Sequence, residues 1–263
     1  MSAFRPSVRR EPKATGTHPS GGVLQASSVA KAFGGVQAVS KISIACSAGE
    51  RLAVIGPNGA GKSTLFSILA GQLAPDHGTV TFDGKRIDGL GCDEVCRRGL
   101  ARTFQIPRPF SGLTVEDNLL AAAYLRHRGR SAALKEARRI AARFDFTTRL
   151  SILSRDLNEV DQKRLELARA YATAPRMLLL DEVGAGLTES EGQSLASLVM
   201  ELNEAEGITI LFVEHVMSLV SALAHRVVVV DQGAVLAAGT VAEIMKNQAV
   251  IAAYLGEDNA DGH

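Results

Sequence analysis

Gly56-Pro57-Asn58-Gly59-Ala60-Gly61-Lys62-Ser63-Thr64 fits the pattern G-x-x-x-x-G-K-[ST], and the reading of this stretch decides the fold. The apolar run Arg51-Leu52-Ala53-Val54-Ile55 precedes it, and Leu65, Phe66, Ile68, Leu69 and Leu73 follow at helical spacing over 63–73. The unit is therefore a strand, a glycine-rich loop and a helix. Glycines let successive main-chain amides turn toward one point, and the start of the helix adds partial positive charge there. Lys62 can neutralise the outer phosphates of a ligand held in such a cradle, and the Ser63 hydroxyl can complete a magnesium shell. Alone, the pattern says that a nucleoside triphosphate binds, not which one or to what end.

Met177-Leu178-Leu179-Leu180-Asp181-Glu182 supplies a second signal, an apolar strand ending in two acids. Adjacent carboxylates at a strand end are often only a solvated turn. Beside a phosphate cradle, Asp181 can hold magnesium through water, and Glu182 can polarise the water that attacks the outermost phosphate. His215 follows the strand Ile210-Leu211-Phe212-Val213 by two residues. A lone histidine there is commonly structural. At the carboxyl end of a parallel strand, where ligands collect, it can also bond the outermost phosphate or fix the attacking water.

Outward from these segments, residues 23–46 alternate like an antiparallel strand pair turning at Gly34-Gly35. Residues 78–87 read as strands joined at Asp83-Gly84, and 227–237 as a last hairpin turning at Gln232-Gly233 that finishes the fold. From about 92 to 172 the character is helical, with Thr114-Val115-Glu116-Asp117 opening a helix in which Asp117 can return a bond to the Thr114 amide. Strands alternating with helices imply an α/β chain with a parallel sheet covered on both faces. The expected architecture is a P-loop NTPase (RecA-like) core, an antiparallel β subdomain and an inserted α-helical subdomain.

Composition removes several classes of function. The 263 residues are 46% apolar and 22% charged, as in ordinary globular proteins. Lys plus Arg against Asp plus Glu is 29 to 28, so no global field draws the chain to nucleic acid, and no Trp with only 3 Tyr leaves few stacking platforms. The 3 cysteines (Cys46, Cys92, Cys96) make no disulfide framework, and no histidine lies near the Cys92–Cys96 pair to complete a metal site. Residues 1–22 lack the apolar centre of a secretory signal and read as a disordered tail. The most apolar region, 208–230, is interrupted by Glu214, His215, His225 and Arg226, so nothing spans a bilayer and any membrane role comes through a partner. The basic, Ala-rich stretch 126–143 reads as a solvated helix face rather than a phosphate or lipid patch.

The cradle, the acid pair and His215, in this order, resemble the ABC (ATP-binding-cassette) ATPase family over residues 23–256, leaving 257–263 as a flexible end. The resemblance implies ATP as the nucleotide, Mg2+ as the metal, and hydrolysis coupled to transmembrane transport. It implies that Phe33 stacks on adenine, although a core Phe near a turn is the plainer alternative. It also implies that Gln105 touches the metal and moves against a membrane partner, with Asp181, Glu182 and His215 as magnesium aspartate, catalytic glutamate and switch histidine. Residues 33–39, Arg102-Thr103-Phe104-Gln105, Leu113-Thr114-Val115-Glu116-Asp117-Asn118, Val213-Glu214-His215-Val216-Met217 and Ala253-Tyr254-Leu255-Gly256 are similar to the branched-chain amino-acid importer branch. That branch implies permease partners, a periplasmic binding protein, and a place on the cytoplasmic face of the inner membrane. Urea importers and the lipopolysaccharide-export ATPase are similar as well.

One segment departs from the family. Where it carries a signature such as Leu-Ser-Gly-Gly-Gln, this chain has Leu157-Asn158-Glu159-Val160-Asp161, and Val183 stands where Pro is usual. Val160 adds a branched Cβ where bare backbone is wanted, and Glu159 and Asp161 bring negative charge toward the phosphates of the opposite subunit. Such repulsion costs on the order of 1 kcal/mol or more. The expectation is an asymmetric pair, in which this chain's own cradle works against the normal signature of a second, different ATPase. The alternatives are a regulatory subunit that holds ATP with little turnover, and a non-membrane ABC protein of translation or DNA repair. The latter usually has two cassettes or long coiled-coil inserts, which this chain lacks.

Overall fold

Three two-residue turns close the antiparallel hairpins where the sequence places them. Gly34-Gly35, Asp83-Gly84 and Gln232-Gly233 all have positive φ at both positions, the geometry whose twist matches paired strands. The computed structural model describes residues 21–258. Strands β1 (Leu24–Phe33), β2 (Val36–Cys46), β4 (His77–Phe82) and β5 (Lys85–Arg86) form one antiparallel sheet, in the order β2-β1-β4-β5. Between them in sequence lie β3 (Arg51–Ile55) and α1 (Lys62–Leu69). Helix α1 is shorter than the apolar spacing over 63–73 predicts, because Ala70 caps it and Gly71 turns left-handed.

The middle of the chain runs α2 (Cys92–Arg97), β6 (Leu100–Arg102), α3 (Val115–Ala123), α4 (Arg130–Arg143), a 3-10 turn at Ser154–Asp156, and α5 (Glu159–Ala172). It is not wholly helical, because β6 pairs in parallel with β7 (Met177–Asp181) at the edge of the main sheet. Thr114 caps α3 by accepting from the Asp117 amide at 3.1 Å, and the Asp117 carboxylate accepts from the Thr114 hydroxyl at 2.7 Å rather than from the expected amide. Helix α4 buries Ala133, Ala137, Ile140 and Ala141 and pairs Arg138, Arg139 and Arg143 with acids, Arg138 with Glu116 at 2.7 Å.

The chain continues through α6 (Glu189–Glu206), β8 (Thr209–Val213), α7 (Met217–Leu223), β9 (Arg226–Asp231), β10 (Ala234–Gly239), α8 (Val241–Ile244) and α9 (Gln248–Asp258). The hairpin β9–β10 therefore does not finish the fold. Two more helices follow, and residues 257–258 are still helical. Thr188 and Glu191 form a capping box at α6. At the other end, Gly22 is tied in, its amide donating to Arg176 O and its carbonyl accepting from Thr209 Oγ1. The disordered-tail expectation for residues 1–20 and the flexible end at 259–263 lie outside the described residues.

The main sheet has the order β10-β9-β3-β8-β7-β6, parallel except for β10. Strands β3, β7, β8 and β9 are buried on both faces, which accounts for their unbroken apolar runs, whereas the edge strand β10 is largely exposed. Ala53, Leu178, Ile210 and Val227 face the helical layer, whereas Leu52, Leu179, Leu211 and Val228 face α1 and the antiparallel sheet. Register places Val54 and Asp181 beside Val213, so β3, β7 and β8 end together. The candidate site is built on that shared carboxyl edge.

Candidate functional site

At the end of β3 the loop 56–61 wraps the side chain of Lys62, whose Nζ donates to Gly56 O at 2.6 Å and Pro57 O at 2.7 Å. Lys62 is only 6% exposed, so its charge is held at the centre of the loop. Helix α1 starts from Gly61 in a left-handed conformation, with no side-chain cap and no acid in its first turn. The helix dipole therefore favours an anion at this uncapped start. Asn58, Gly59 and Ser63 are exposed along this rim, Thr64 is half-buried, and Ala60 is packed inside, its carbonyl accepting from the Gly233 amide.

Asp181 and Glu182 leave the end of β7 in different directions. Asp181 accepts a 2.7 Å bond from Arg102 Nη2 on Oδ2. Glu182 stands at φ 48°, a left-handed conformation that non-glycine residues hold only when their surroundings enforce it. Its amide donates to Val213 O, which anchors the bend to β8. The bend delivers its carboxylate to two side chains from distant parts of the sequence. Oε1 lies 2.9 Å from His215 Nε2, and Oε2 accepts from Gln105 Nε2 at 2.5 Å. Gln105, Glu182 and His215, singled out separately in the sequence, are one hydrogen-bonded cluster.

Phe33 closes β1 opposite Val36 and is 46% exposed, with Lys31 Nζ 5.7 Å from its ring centre. It is a ring at a hairpin tip rather than a core residue. From that tip β2 runs to Ala38, whose carbonyl backs directly onto Gly61.

With this geometry in place, comparison with known protein families matches residues 39–185 to the ABC transporter family, and residues 234–260 to the branched-chain amino acid ATP-binding cassette transporter family. The chain belongs to the ABC transporter family. It is 39% identical to the high-affinity branched-chain amino acid transport ATP-binding protein LivG of Salmonella typhimurium, over 86% of this chain and 94% of that one. It is 36% identical to BraF of Pseudomonas aeruginosa, a protein of the same description, over 89% and 98%. Among solved structures, the ADP conformation of MJ1267, an ATP-binding cassette of an ABC transporter, superposes with a TM-score of 0.81 at 28% identity, covering 89% of this chain and 99% of that one. The chain is thus a nucleotide-binding, ATP-hydrolysing cassette that serves a membrane transporter. None of the described helices is long and apolar enough to cross a membrane.

Four side chains that the sequence reading gave no role hold this cassette's site in shape. Glu166 on α5 accepts from the Phe104 and Arg108 amides at 2.7 and 2.5 Å, fastening the segment that carries Gln105. Burial raises its pKa above the ordinary carboxylate value, against the pull of those amides. Glu214, 1% exposed, accepts from the Gly184 amide at 2.7 Å and joins the loop after Glu182 to the one bearing His215. Burial raises its pKa too. Lys163 donates to the Ala185 and Glu182 carbonyls, and burial lowers its pKa. Arg102 is the fourth. A buried charge looks the same in sequence as a solvated one, so only the fold marks these residues.

The signature segment is ordered. Leu157 is buried, and Asn158 caps α5 by accepting from the Asp161 amide at 2.8 Å. The expectation that both acids point charge outward needs correcting, because Asp161 is paired with Arg149 at 2.5 Å. That guanidinium neutralises it locally, leaving Glu159 as the exposed charge, beside Gly186. Val160 is half-buried in the first turn of α5.

Proposed function

We propose that this cassette powers import of branched-chain amino acids or related small solutes, as one half of an asymmetric ATPase pair. The observation that carries the catalytic part is the Gln105–Glu182–His215 cluster at the same sheet edge as the Lys62 loop. ATP's phosphates would lie against the amides of 56–64 and Lys62, with adenine on Phe33. Ser63, Asp181 and Gln105 offer hydroxyl, carboxylate and amide oxygens, hard donors that suit Mg2+ together with phosphate oxygens. Gln105 bonds Glu182 through its nitrogen, which keeps its oxygen for that role. When bound, Mg2+ would offset charge between the outer phosphates. Glu182 would take the proton of the attacking water, and His215, whose Nε2 meets that carboxylate here, would donate the Nε2 hydrogen to the outermost phosphate in its place.

The cargo reading is supported by the match over 234–260 and by the relatives described as branched-chain amino acid transport proteins. On this reading the cassette sits on the cytoplasmic face of the inner membrane with two permease subunits, a second ATPase and, indirectly, a periplasmic binding protein. The pair is asymmetric because Asn158, Glu159 and Val160 are poorly suited to meet a phosphate held by the opposite subunit. A purely regulatory role is disfavoured by the complete cluster around Glu182.

The test is ATP hydrolysis by the chain alone, with its partner ATPase, and in proteoliposomes carrying the permeases and binding protein. Turnover should be slow alone and faster with the partner. Glu182→Gln should lower it about 100-fold or more while nucleotide binding persists. Fast turnover by a homodimer, abolished by Glu182→Gln, would refute the asymmetry. Turnover indifferent to Glu182→Gln would refute the catalytic assignment, and absence of leucine-dependent uptake would refute the cargo.

A further inference from the structure

Arg102, the last residue of β6, makes more side-chain contacts than any role assigned so far explains. Nη2 donates to Asp181 Oδ2 at 2.7 Å, and Nη1 donates to Ser67 Oγ at 3.0 Å and Gln72 Oε1 at 2.7 Å. The guanidinium carbon lies 6.0 Å from the Phe66 ring centre and 5.6 Å from that of Phe104. The side chains of Arg102 and Asp181 are 9% and 7% exposed, so neither charge is screened by bulk water. One cation thus ties the carboxylate at the end of β7 to helix α1, which begins at the phosphate loop, and to the segment leading into Gln105. The same guanidinium also lines a cleft of about 380 Å³ together with Phe104, Arg108, Phe110, Glu166 and Arg169.

We propose that Arg102 is a positioning residue for the metal carboxylate: by holding Oδ2 of Asp181 it fixes the rotamer that presents the other oxygen to the Mg2+ shell. The inference rests on the nucleotide reading above and adds the residue that sets the metal site's geometry. The anchors on Ser67, Gln72 and the two rings keep the guanidinium in place, so it acts as a fixed brace rather than a cation that departs when the metal arrives. Carboxylates that ligate metals depend on such hydrogen-bond partners, whose loss typically costs about 10–100-fold in metal affinity. Lysine keeps the charge but is a point donor, without the fork that lets Arg102 hold Asp181, Ser67 and Gln72 together.

The experiment measures ADP affinity of the full chain by titration calorimetry, once in EDTA and once with saturating Mg2+, and bound Mn2+ by electron paramagnetic resonance in the presence of ADP. In Arg102→Met the Mn2+ affinity should fall about 10–100-fold, well beyond any change in metal-free ADP affinity, and the gain in ADP affinity from Mg2+ should shrink. Arg102→Lys, the milder change, should fall between that variant and wild type and guards against a misfolded methionine variant. In an Asp181→Asn background, Arg102→Met should cause no further loss of Mn2+. Unchanged or tighter Mn2+ binding in either Arg102 variant would overturn the proposal, tighter binding meaning that the guanidinium competes with the metal. Equal loss with and without metal would reduce Arg102 to a structural role and overturn it as well. Wild-type protein that binds no ADP would overturn the nucleotide reading, and this inference with it.

Discussion

Substituting alanine at Gly61 and at Gly59 separates two costs that the phosphate loop combines. Both glycines are left-handed, at φ 96° and 75°. A Cβ at Gly59 meets nothing within 4 Å, whereas one at Gly61 would lie 2.2 Å from the Ala38 carbonyl oxygen. The left-handed conformation costs roughly 1–2 kcal/mol for a residue with a Cβ. Reduced freedom of the unfolded chain returns about 0.4–1 kcal/mol of that. Gly59→Ala should therefore cost about 1 kcal/mol. At Gly61 the obstacle is backbone, which no rotamer change can clear, so β2 must move off the loop. Overpacking of that kind costs about 1–3 kcal/mol more. An extra 2 kcal/mol corresponds to a fall of about 4–8 °C in melting temperature for a chain of this size. Differential scanning calorimetry without nucleotide reads this directly, since no ligand stabilisation is then lost. Equal melting temperatures for the two variants, or a milder effect at Gly61, would refute the claim that close approach of Ala38, and not φ alone, requires glycine there.

Two further outcomes test other parts of the site. Glu214 has a raised pKa in the folded state, so the native protein binds its proton more tightly than the unfolded chain does. Its contribution to stability is therefore full below the unfolded carboxylate value of about 4.3 and is lost as pH rises through the folded pKa. The melting temperature of wild type minus that of Glu214→Gln should fall with rising pH across that window and then level off; a rise would contradict the burial argument. Asn158→Ser combined with Val160→Gly should raise homodimer turnover about tenfold if the signature segment withholds about 1.4 kcal/mol from the composite site. Serine keeps the cap on α5, so unchanged turnover at unchanged stability would place the limit elsewhere.

Much of the catalytic set was legible because it is local or strand-terminal. The strand–loop–helix unit over 51–69, the acids at the end of 177–182 and the histidine after 209–213 each carry their meaning in a few adjacent residues. The three hairpins were legible for the same reason, since a two-residue turn with positive φ at both positions restricts its own composition. What failed was non-local. Strand β6 is three residues inside a helical stretch and exists only because β7 offers an edge. Helix α6 is the exception, because the Thr188–Glu191 capping box that marks its start is local.

The sequence by itself determined the phosphate cradle, the alternation of strands and helices, and the departure at Asn158–Asp161. Those follow from short-range steric rules and from hydrophobic periodicity. Only the tertiary structure decided that Gln105, Glu182 and His215 share hydrogen bonds, that Arg149 neutralises Asp161, and that Arg102 braces Asp181. A side chain's partner across the sheet depends on which strands lie side by side and in what register. That is settled by burial of both faces of the parallel sheet at once, not by any one segment.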